Sequence, residues 1–108
     1  MNLENTKAQM RKGVLEYCIL SLLKGQDAYA SQIIASLKEA RLIVVEGTLY
    51  PLLTRLKNAG LLSYRWEESP SGPPRKYYQL TDVGVKALKE LDSTWKELVK
   101  AVEISTKK

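Results

Sequence analysis

EGTLYPLLTRLKNAG, the sequence of residues 46–60, carries the strongest fold signal in this chain. Its leucines recur at spacings of three and four, which is the pattern of one face of an α-helix. These residues are Leu49, Leu52, Leu53 and Leu56. We therefore predict a helix whose leucine face lies on a core, while its polar face is turned toward water or a partner. The polar face carries Thr54, Arg55, Lys57 and Asn58.

The start of this helix has two interpretations because of Pro51. Inside a helix, proline removes a backbone hydrogen bond, and its ring crowds the carbonyl four residues earlier, here that of Gly47. Either Thr48 is the N-cap, which puts Pro51 in the first turn, or the helix begins near Glu46 and contains the proline. Gly60 is predicted to end the helix.

Two further helices are predicted upstream. The first runs from about Thr6 to Lys24 and has two apolar faces, so it packs against two partners. Gly25 suits the left-handed conformation that ends many helices, and Asp27 can cap the next helix, from about Ala28 to Ala40. The segment 41–45 then forms a compact connection, and helices joined in this way are typical of a helix-turn-helix. The apolar faces of the first helix carry Leu15, Cys18, Ile19 and Leu22 on one side and Met10, Val14 and Tyr17 on the other.

The pattern changes from helical to alternating after Leu61. Leu62, Tyr64 and Trp66 fall on one face of the segment, which predicts a β-strand. The segment 69–74 is rich in serine, proline and glycine and predicts a turn, and a second strand follows over 75–80. A hairpin directly after a helix-turn-helix makes a winged helix. The predicted fold is therefore mainly α with a small β-hairpin (α+β), a winged helix-turn-helix.

A long C-terminal helix is predicted from Thr81 or Asp82 to about Ile104. Its apolar residues are spaced by three and four, as in a seam that meets another helix. With Val14 of the first helix, they are predicted to form a homodimer interface. The seam consists of Leu88, Leu91, Trp95, Leu98 and Val102. The chain is thus divided into a winged helix-turn-helix, residues 1–80, and a dimerisation helix, residues 81–108, within one compact domain.

Composition limits the classes of function. A chain of 108 residues makes one domain, and its net charge of +5 permits an anionic partner. The cations are spread along the whole chain, so charge alone is weak evidence for nucleic acid. The chain has no histidine, which removes histidine-based triads and metal sites. We expect no metal, no cofactor and no enzymatic activity.

Neither a membrane nor a disulfide is predicted. The apolar run from Val14 to Leu23 is too short to cross a bilayer, which takes roughly twenty residues. Cys18 lies within that run and is the single cysteine, so no internal disulfide can form. A buried structural thiol in a reducing compartment is the simpler interpretation. We therefore expect a cytoplasmic protein.

The helix over residues 46–60 and the basic hairpin are the candidate nucleic-acid surfaces. Polar groups near the N-terminal end of the helix can meet phosphates or base edges, and Arg55 can pair with either. Arg75 and Lys76 are adjacent on a strand, so they point to opposite sides and only one can face DNA. Alternatively, both surfaces are ordinary solvated ones, and Tyr50 is a wedge against the second helix.

Trp95 also has two interpretations. Its position in the seam places it in the packed core of a dimer. Alternatively, it is a platform for flat aromatic ligands at a two-fold interface. A single chain does not distinguish between them.

Three segments together resemble the PadR family of bacterial transcriptional regulators. They are EGTLYPLL at 46–53, RLKNAGLL at 55–62 and GPPRKYYQLT at 72–81, and the similarity extends from about Arg11 to Trp95. The resemblance implies a homodimeric winged helix-turn-helix repressor. Its third helix would enter the major groove of double-stranded DNA, and its wing would touch the flanking backbone or minor groove. Val45 stands where many relatives carry a serine cap, so the third helix is expected to begin differently.

The resemblance also assigns roles to individual positions. Contacts to DNA are implied on the third helix, at the start of the second helix and on the wing. Thr54 and Lys57 are further candidates because they lie on the polar outer face of the third helix. The single C-terminal helix is similar to a short branch of the family that includes regulators of multidrug transporters. In that branch a tryptophan faces its symmetry mate and sandwiches planar drugs; Trp95 matches it, which implies a small hydrophobic or aromatic effector. The DNA-binding candidates are Tyr29, Gln32, Thr48, Tyr50, Pro51, Thr54, Arg55, Lys57, Arg75 and Lys76.

Two hypotheses about function follow. In the first, the chain is a ligand-responsive repressor that binds a palindromic operator as a homodimer, with its two recognition helices about one DNA turn apart. In the second, it is a winged-helix adaptor that binds proteins and never touches DNA.

Overall fold

The fold consists of four helices and a three-stranded antiparallel sheet. A computed structural model describes residues 2–107. The predicted winged helix-turn-helix, with a long helix after the hairpin, is confirmed. In chain order the elements are α1 (Leu3–Leu22), β1 (Ala28–Tyr29), α2 (Ala30–Glu39), α3 (Glu46–Asn58), β2 (Leu62–Ser69), β3 (Gly72–Leu80) and α4 (Asp82–Thr106).

One apolar core joins the helices to the inner face of the sheet. The predicted leucine face of α3 is buried, with Leu49 and Leu53 completely shielded from solvent. Because these side chains hold one side of α3 on the core, the opposite side must face outward. The buried core residues are Leu15, Ile19, Leu20, Leu23, Ala30, Ile33, Leu37, Leu49, Leu52, Leu53, Leu56, Leu62, Tyr78 and Leu88.

The second helix starts later than its sequence predicts. Ala28 and Tyr29 form the short strand β1, which pairs with Tyr78 and Tyr77 of β3, so α2 begins only at Ala30. The prediction that Asp27 caps α2 is wrong, because its carboxylate accepts a hydrogen bond from the Arg65 guanidinium, Nη1 to Oδ2, at 2.8 Å. A strand of two residues has no periodicity, so only its partner strand reveals it.

The third helix begins at Glu46, which decides between the two interpretations of Pro51. Val45 is the N-cap and offers no side-chain oxygen; its carbonyl accepts hydrogen bonds from the N–H groups of Thr48 and Leu49, both at 3.0 Å. Pro51 therefore lies inside the helix, where it removes the hydrogen bond to the Gly47 carbonyl. Its ring lies on the exposed side, away from the core.

The hairpin is longer and its turn tighter than predicted. Residues 70–71 alone separate β2 from β3, so the predicted turn over 69–74 is too long. Pro73 and Pro74 lie in β3, beyond the two residues that pair with β1, where β3 has a neighbour on one side only. The register shifts there, with one extra residue in β3, and such bulges and edges accommodate proline.

The hairpin and α4 are joined by a tight connection. The Thr81 hydroxyl caps α4 by accepting from the Gly84 N–H at 3.0 Å, and it donates to the Gly60 carbonyl at 2.6 Å. Gly84 is buried so close to Leu61 that a Cβ at this position would collide with the Leu61 carbonyl oxygen. Gly60 itself ends α3 with a φ of 83°, as predicted. These contacts fix the direction in which α4 leaves the sheet.

Candidate nucleic-acid interface

The outer side of α3 is divided by its neighbours into three strips. The strip opposite the buried leucines consists of Gly47, Pro51, Thr54 and Asn58, which are all exposed. On one flank, Tyr50 and Lys57 face the hairpin. On the other flank, Thr48 and Arg55 face α1. The predicted polar face thus exists, but its two edges have different surroundings.

The flank toward the hairpin borders an open cleft. The cleft has a volume of about 460 Å³ and lies between the beginnings of α2 and α3 and the hairpin. Tyr50, whose side chain is 45% exposed, lines it from α3. The other lining residues are Tyr29, Ala30, Ser31, Glu46, Trp66, Pro74, Arg75, Lys76 and Tyr78. Four of the ten predicted DNA-binding positions therefore line this cleft: Tyr29, Tyr50, Arg75 and Lys76. Thr54 and Lys57 line a smaller cavity that shares Lys76 and Tyr78 with it.

The two wing cations occupy opposite faces of β3, as predicted. The Lys76 ammonium lies 4.6 Å from the centre of the Tyr64 ring and 5.6 Å from that of Trp66, on the face toward α3. The Arg75 guanidinium lies 5.4 Å from the centre of the Tyr29 ring, on the other face. Cation–π contacts of this kind restrict the position of a cation without neutralising its charge.

The start of α2 is built from Tyr29 and Gln32. The Gln32 side-chain oxygen accepts from the Tyr29 N–H at 2.9 Å and so supports the first turn of the helix. The Tyr29 ring meets the Tyr77 ring edge-on, with 4.6 Å between their centres. Both predicted residues therefore have structural roles here, and Gln32 is exposed beside the cleft.

Arg55 points toward α1 rather than toward the hairpin. It forms an ion pair with Glu16, whose side chain is 25% exposed, while that of Arg55 is 70% exposed. Among the predicted DNA-binding residues, Arg55 is thus separated from the cleft and engaged within the chain. The sequence did not identify Glu16 as the partner of Arg55, because the two residues lie 39 positions apart.

Arg65 links the hairpin to the beginning of α2, and sequence alone did not identify it. Its Nη1 donates to Asp27 Oδ2 and to Gln79 Oε1, both at 2.8 Å, and its Nε donates to Glu67 Oε1 at 3.1 Å. The guanidinium also lies 4.5 Å from the centre of the Tyr77 ring. The hydrogen bond to Asp27 raises the pKa of Arg65 further above that of a free guanidinium, which is always protonated in proteins. This network fixes the hairpin relative to α2.

A second surface lies at the other side of the molecule, between α1 and α4. It is an apolar groove of about 480 Å³, with Arg11 and Glu103 at its borders. Trp95, Leu98 and Val102 of the predicted seam are 40%, 50% and 51% exposed there. Its apolar lining consists of Met10, Val14, Trp95, Leu98, Val99 and Val102.

The first part of the predicted dimer seam belongs to the chain's own core. Leu88 is 3% exposed, and the half-buried Leu91 packs against the same core. The expectation that Leu88 meets a partner chain is therefore corrected, because Leu88 packs inside the chain's own fold. Leu91 keeps part of its surface exposed, and the stripe continues into solvent beyond it.

Tyr17 attaches α4 to α1 at the edge of this groove. Its hydroxyl donates to Asp92 Oδ1 at 2.6 Å, and its ring lies 6.2 Å from the Trp95 ring, centre to centre. The hydrogen bond to Asp92 is the main cause of a raised pKa for Tyr17. The position of Trp95 is therefore tied to α1.

Within residues 2–107, no group of three or more histidine, cysteine, aspartate or glutamate side chains is arranged to hold a metal ion. Across the same residues, every helix is too short or too polar to span a bilayer. Cys18 is half-buried, and burial raises the pKa of its thiol, which favours the unreactive form.

Comparison with known proteins gives a consistent result. Residues 19–90 match the Transcriptional regulator PadR-like family. A PadR-like transcription factor from Bacteroides fragilis is 66% identical, covers 94% of this chain and 99% of its own, and superposes with a TM-score of 0.79. A PadR family transcriptional regulator from Eggerthella lenta is 34% identical over 97% of this chain and 94% of its own, with a TM-score of 0.86. A PadR-like transcriptional regulator from Bacillus cereus is also 34% identical, over 93% and 99%, with a TM-score of 0.80.

Proposed function

This chain belongs to the PadR-like family of DNA-binding transcriptional regulators, and we propose that it acts as a homodimeric, ligand-responsive repressor of a palindromic operator. The observation that carries the proposal is the cleft between α3 and the wing. Tyr50 of α3 and the cations Arg75 and Lys76 of the wing line this one opening. If a DNA duplex bound there, α3 would lie against its major groove and the basic side chains of the wing would lie against its phosphate backbone.

In this proposal α3 is the recognition helix. Its exposed strip from Gly47 to Asn58 has short side chains, so the helix can approach base edges closely. Glycine and proline add no long side chain that would hold the helix away from the groove floor. Thr54 and Asn58 then supply hydrogen-bonding groups, and Lys57 and Lys76 supply positive charge on the side of the wing.

Arg55 has a different place in the proposal. In the chain as described it is bound to Glu16, but most of its side chain is exposed. A DNA phosphate can therefore compete with the Glu16 carboxylate for the guanidinium. Exposed ion pairs contribute little free energy, so exchanging one partner for another has a small cost.

Dimer formation through the apolar groove is supported by its exposure. Trp95, Leu98 and Val102 lie on one side of α4, and Met10 and Val14 of α1 continue the same surface. Contiguous exposed apolar surface of this kind marks an interaction site. A two-fold arrangement would bring each α4 against the partner and would hold two recognition helices at a fixed distance.

The effector would bind at this same interface. Trp95 offers a flat aromatic face inside a groove lined mainly by aliphatic side chains, which suits a small hydrophobic or aromatic compound. A ligand that binds one spacing of the two α4 helices more tightly than another would shift the dimer toward that spacing. Because α4 is attached to α1 through Tyr17, the shift would change the separation of the recognition helices.

The DNA-binding surface is tested by removing two of its cations together. We compare Arg55→Ala/Lys76→Ala with the matched control Lys86→Ala/Lys89→Ala, which removes two exposed charges from α4. The probe is a fluorescein-labelled duplex selected by binding from a random-sequence pool, and binding is followed by anisotropy. We expect the first variant to lose most of its affinity and the control to keep it, with both still dimeric in sedimentation. Equal affinities for both variants would place DNA binding on another surface, and failure to select any duplex from the pool would favour the adaptor hypothesis.

The effector site is tested with a hydrophobic aromatic dye. Anilinonaphthalene sulfonate is titrated against the wild-type chain and Trp95→Ala, and dye fluorescence gives the affinity. We expect the variant to bind the dye more weakly, because the aromatic face is gone. Unchanged dye binding would place the ligand elsewhere, while loss of the dimer in sedimentation would show that Trp95 is needed for assembly itself.

A further inference from the structure

Trp66 is a large apolar side chain in an unusual place. It projects from the middle of β2 and is 62% exposed. The fold does not need it there, since its strand already anchors the hairpin through the buried Leu62. Trp66 and the exposed Tyr50 line the same cleft, and exposed aromatic surface gathered in this way beside basic residues marks a binding site.

Its surroundings hold the indole in a defined orientation. Tyr78, which is 4% exposed, contacts Tyr64 with 5.8 Å between ring centres, and Tyr64 meets Trp66 edge-on at 6.0 Å and 88°. The three rings form a row that leads from the core outward along the hairpin to the middle of β2. Edge-to-face contacts of this kind restrict the rotation of the outermost ring. Trp66 is therefore an ordered surface group.

A cation accompanies the indole. Lys76 lies directly across the two-stranded ladder from Trp66, and its ammonium is 5.6 Å from the centre of the indole ring. Both side chains lie on the face of the hairpin that looks toward α3, and both line the cleft with Tyr50. A ligand in this cleft thus meets an apolar plane and a positive charge side by side.

Duplex DNA presents the matching pair of surfaces along its backbone. Each phosphate is flanked by deoxyribose, whose carbon atoms offer an apolar surface, while the phosphate attracts a cation. We propose that Trp66 packs its indole on the sugar of the operator backbone next to the phosphate that Lys76 contacts. This inference rests on the proposed function, because it names a further DNA contact of the same interface.

The two neighbouring side chains should differ in their dependence on salt. Lys76→Ala removes a phosphate contact, so the slope of log affinity against log salt should become shallower by about one for each protomer, or about two for a dimer. Trp66→Ala removes an uncharged contact. We expect its affinity to fall by about tenfold at every salt concentration, with the slope unchanged. Trp66→Phe keeps an aromatic plane and should recover part of the loss.

A spectroscopic experiment locates the contact directly. The chain contains two tryptophans, so labelling with 5-fluorotryptophan gives two ¹⁹F resonances, and the one missing from Trp66→Phe is assigned to Trp66. The selected duplex is then titrated while anisotropy of its fluorescein reports binding. We expect the Trp66 resonance to move in proportion to the bound fraction, and the Trp95 resonance to move less.

The outcomes separate the two levels of the proposal. If anisotropy never rises, DNA binding itself fails, and the role of Trp66 fails with it. If anisotropy saturates while the Trp66 resonance stays in place, only the Trp66 contact is overturned. Thermal melting of Trp66→Ala shows whether this variant is still folded, and we expect it to melt at the same temperature as Trp66→Phe. If the folded Trp66→Ala bound the duplex as tightly as the wild type does, the proposal would also be overturned.

Discussion

Arg55 of α3 is joined to Glu16 of α1 at two points: its Nε donates to Glu16 Oε2 at 3.3 Å, and its Nη2 donates to Oε1. The next residue of α1, Tyr17, is hydrogen-bonded to Asp92 of α4. Two consecutive residues of α1 therefore contact α3 on one side and α4 on the other. Any movement of α4 that displaces α1 also bears on α3.

Neutralising Glu16 should strengthen DNA binding. In Glu16→Gln, Arg55 no longer has to leave a carboxylate partner when it binds a phosphate, and a negative charge near the duplex disappears. We expect higher affinity than that of the wild type, most clearly at low salt. The control Glu4→Gln removes the same charge from a distant turn of α1 and should leave the affinity unchanged. Equal affinities for the two variants would contradict a contact between Arg55 and DNA.

The Tyr17–Asp92 hydrogen bond should make stability depend on alkaline pH. It raises the pKa of Tyr17 above the ordinary value of about 10, so its contribution is fully present below that pH and is lost as pH rises through the folded-state pKa. Burial also raises the pKa of Tyr78, which adds a loss of the same sign. Urea unfolding of Tyr17→Phe should therefore show a smaller decline above about pH 10 than the wild type. Parallel declines would contradict this assignment.

A methyl group at Gly84 should destabilise the fold. The Cβ of Gly84→Ala would collide with the Leu61 carbonyl oxygen, which is backbone and cannot rotate away. We expect the free energy of unfolding to fall by about 1–3 kcal/mol, as for other overpacked sites. Gly13 lies in the middle of α1 with open space around it, so Gly13→Ala is the matched control and should stabilise the helix slightly. Denaturant midpoints measure both variants, and equal midpoints would refute the tight connection.

A charge in the apolar groove should dissociate the dimer. Leu98 is 50% exposed at the centre of the groove, and Leu98→Glu would bury a carboxylate if two copies met there. We expect monomers in sedimentation at concentrations where the wild type is dimeric. Val83 is 58% exposed at the start of α4 and outside the groove, so Val83→Glu should remain dimeric. Dissociation of both variants, or of neither, would place the interface elsewhere.

Local periodicity was sufficient to predict that α3, the hairpin and α4 exist, although not where α3 begins or how short the hairpin turn is. The leucines of α3 and the alternation after Leu61 are patterns within a single element. Their spacing alone determines which face of the helix or strand must be buried. The strand β1 was not predictable in this way, because Ala28 and Tyr29 become a strand only through β3. The exposure of Trp66 was not predictable either. Alternation places Trp66 on the same face of β2 as Leu62, but it does not show that the hairpin extends beyond the core at Trp66.

The candidate sites were predictable to a lesser degree. The spacing of three and four residues marked the apolar side of α4. It did not show that Leu88 packs in the chain's own core while Leu98 lies in a solvent-facing groove. Helical periodicity placed Arg55 on the outer side of α3, yet its orientation depends on Glu16, which a distant segment supplies. Position along an element follows from sequence, whereas the partner of a long side chain follows from tertiary structure.

The most direct measurement is the salt dependence of binding to the selected duplex. If Arg55, Lys57 and Lys76 of each protomer contact phosphates, a dimer makes about six such contacts, and affinity should fall roughly a thousandfold between about 50 and 200 mM salt. Log affinity should decrease linearly with log salt over that range. Affinity that is the same at both salt concentrations would contradict the proposed interface between the recognition helix, the wing and DNA.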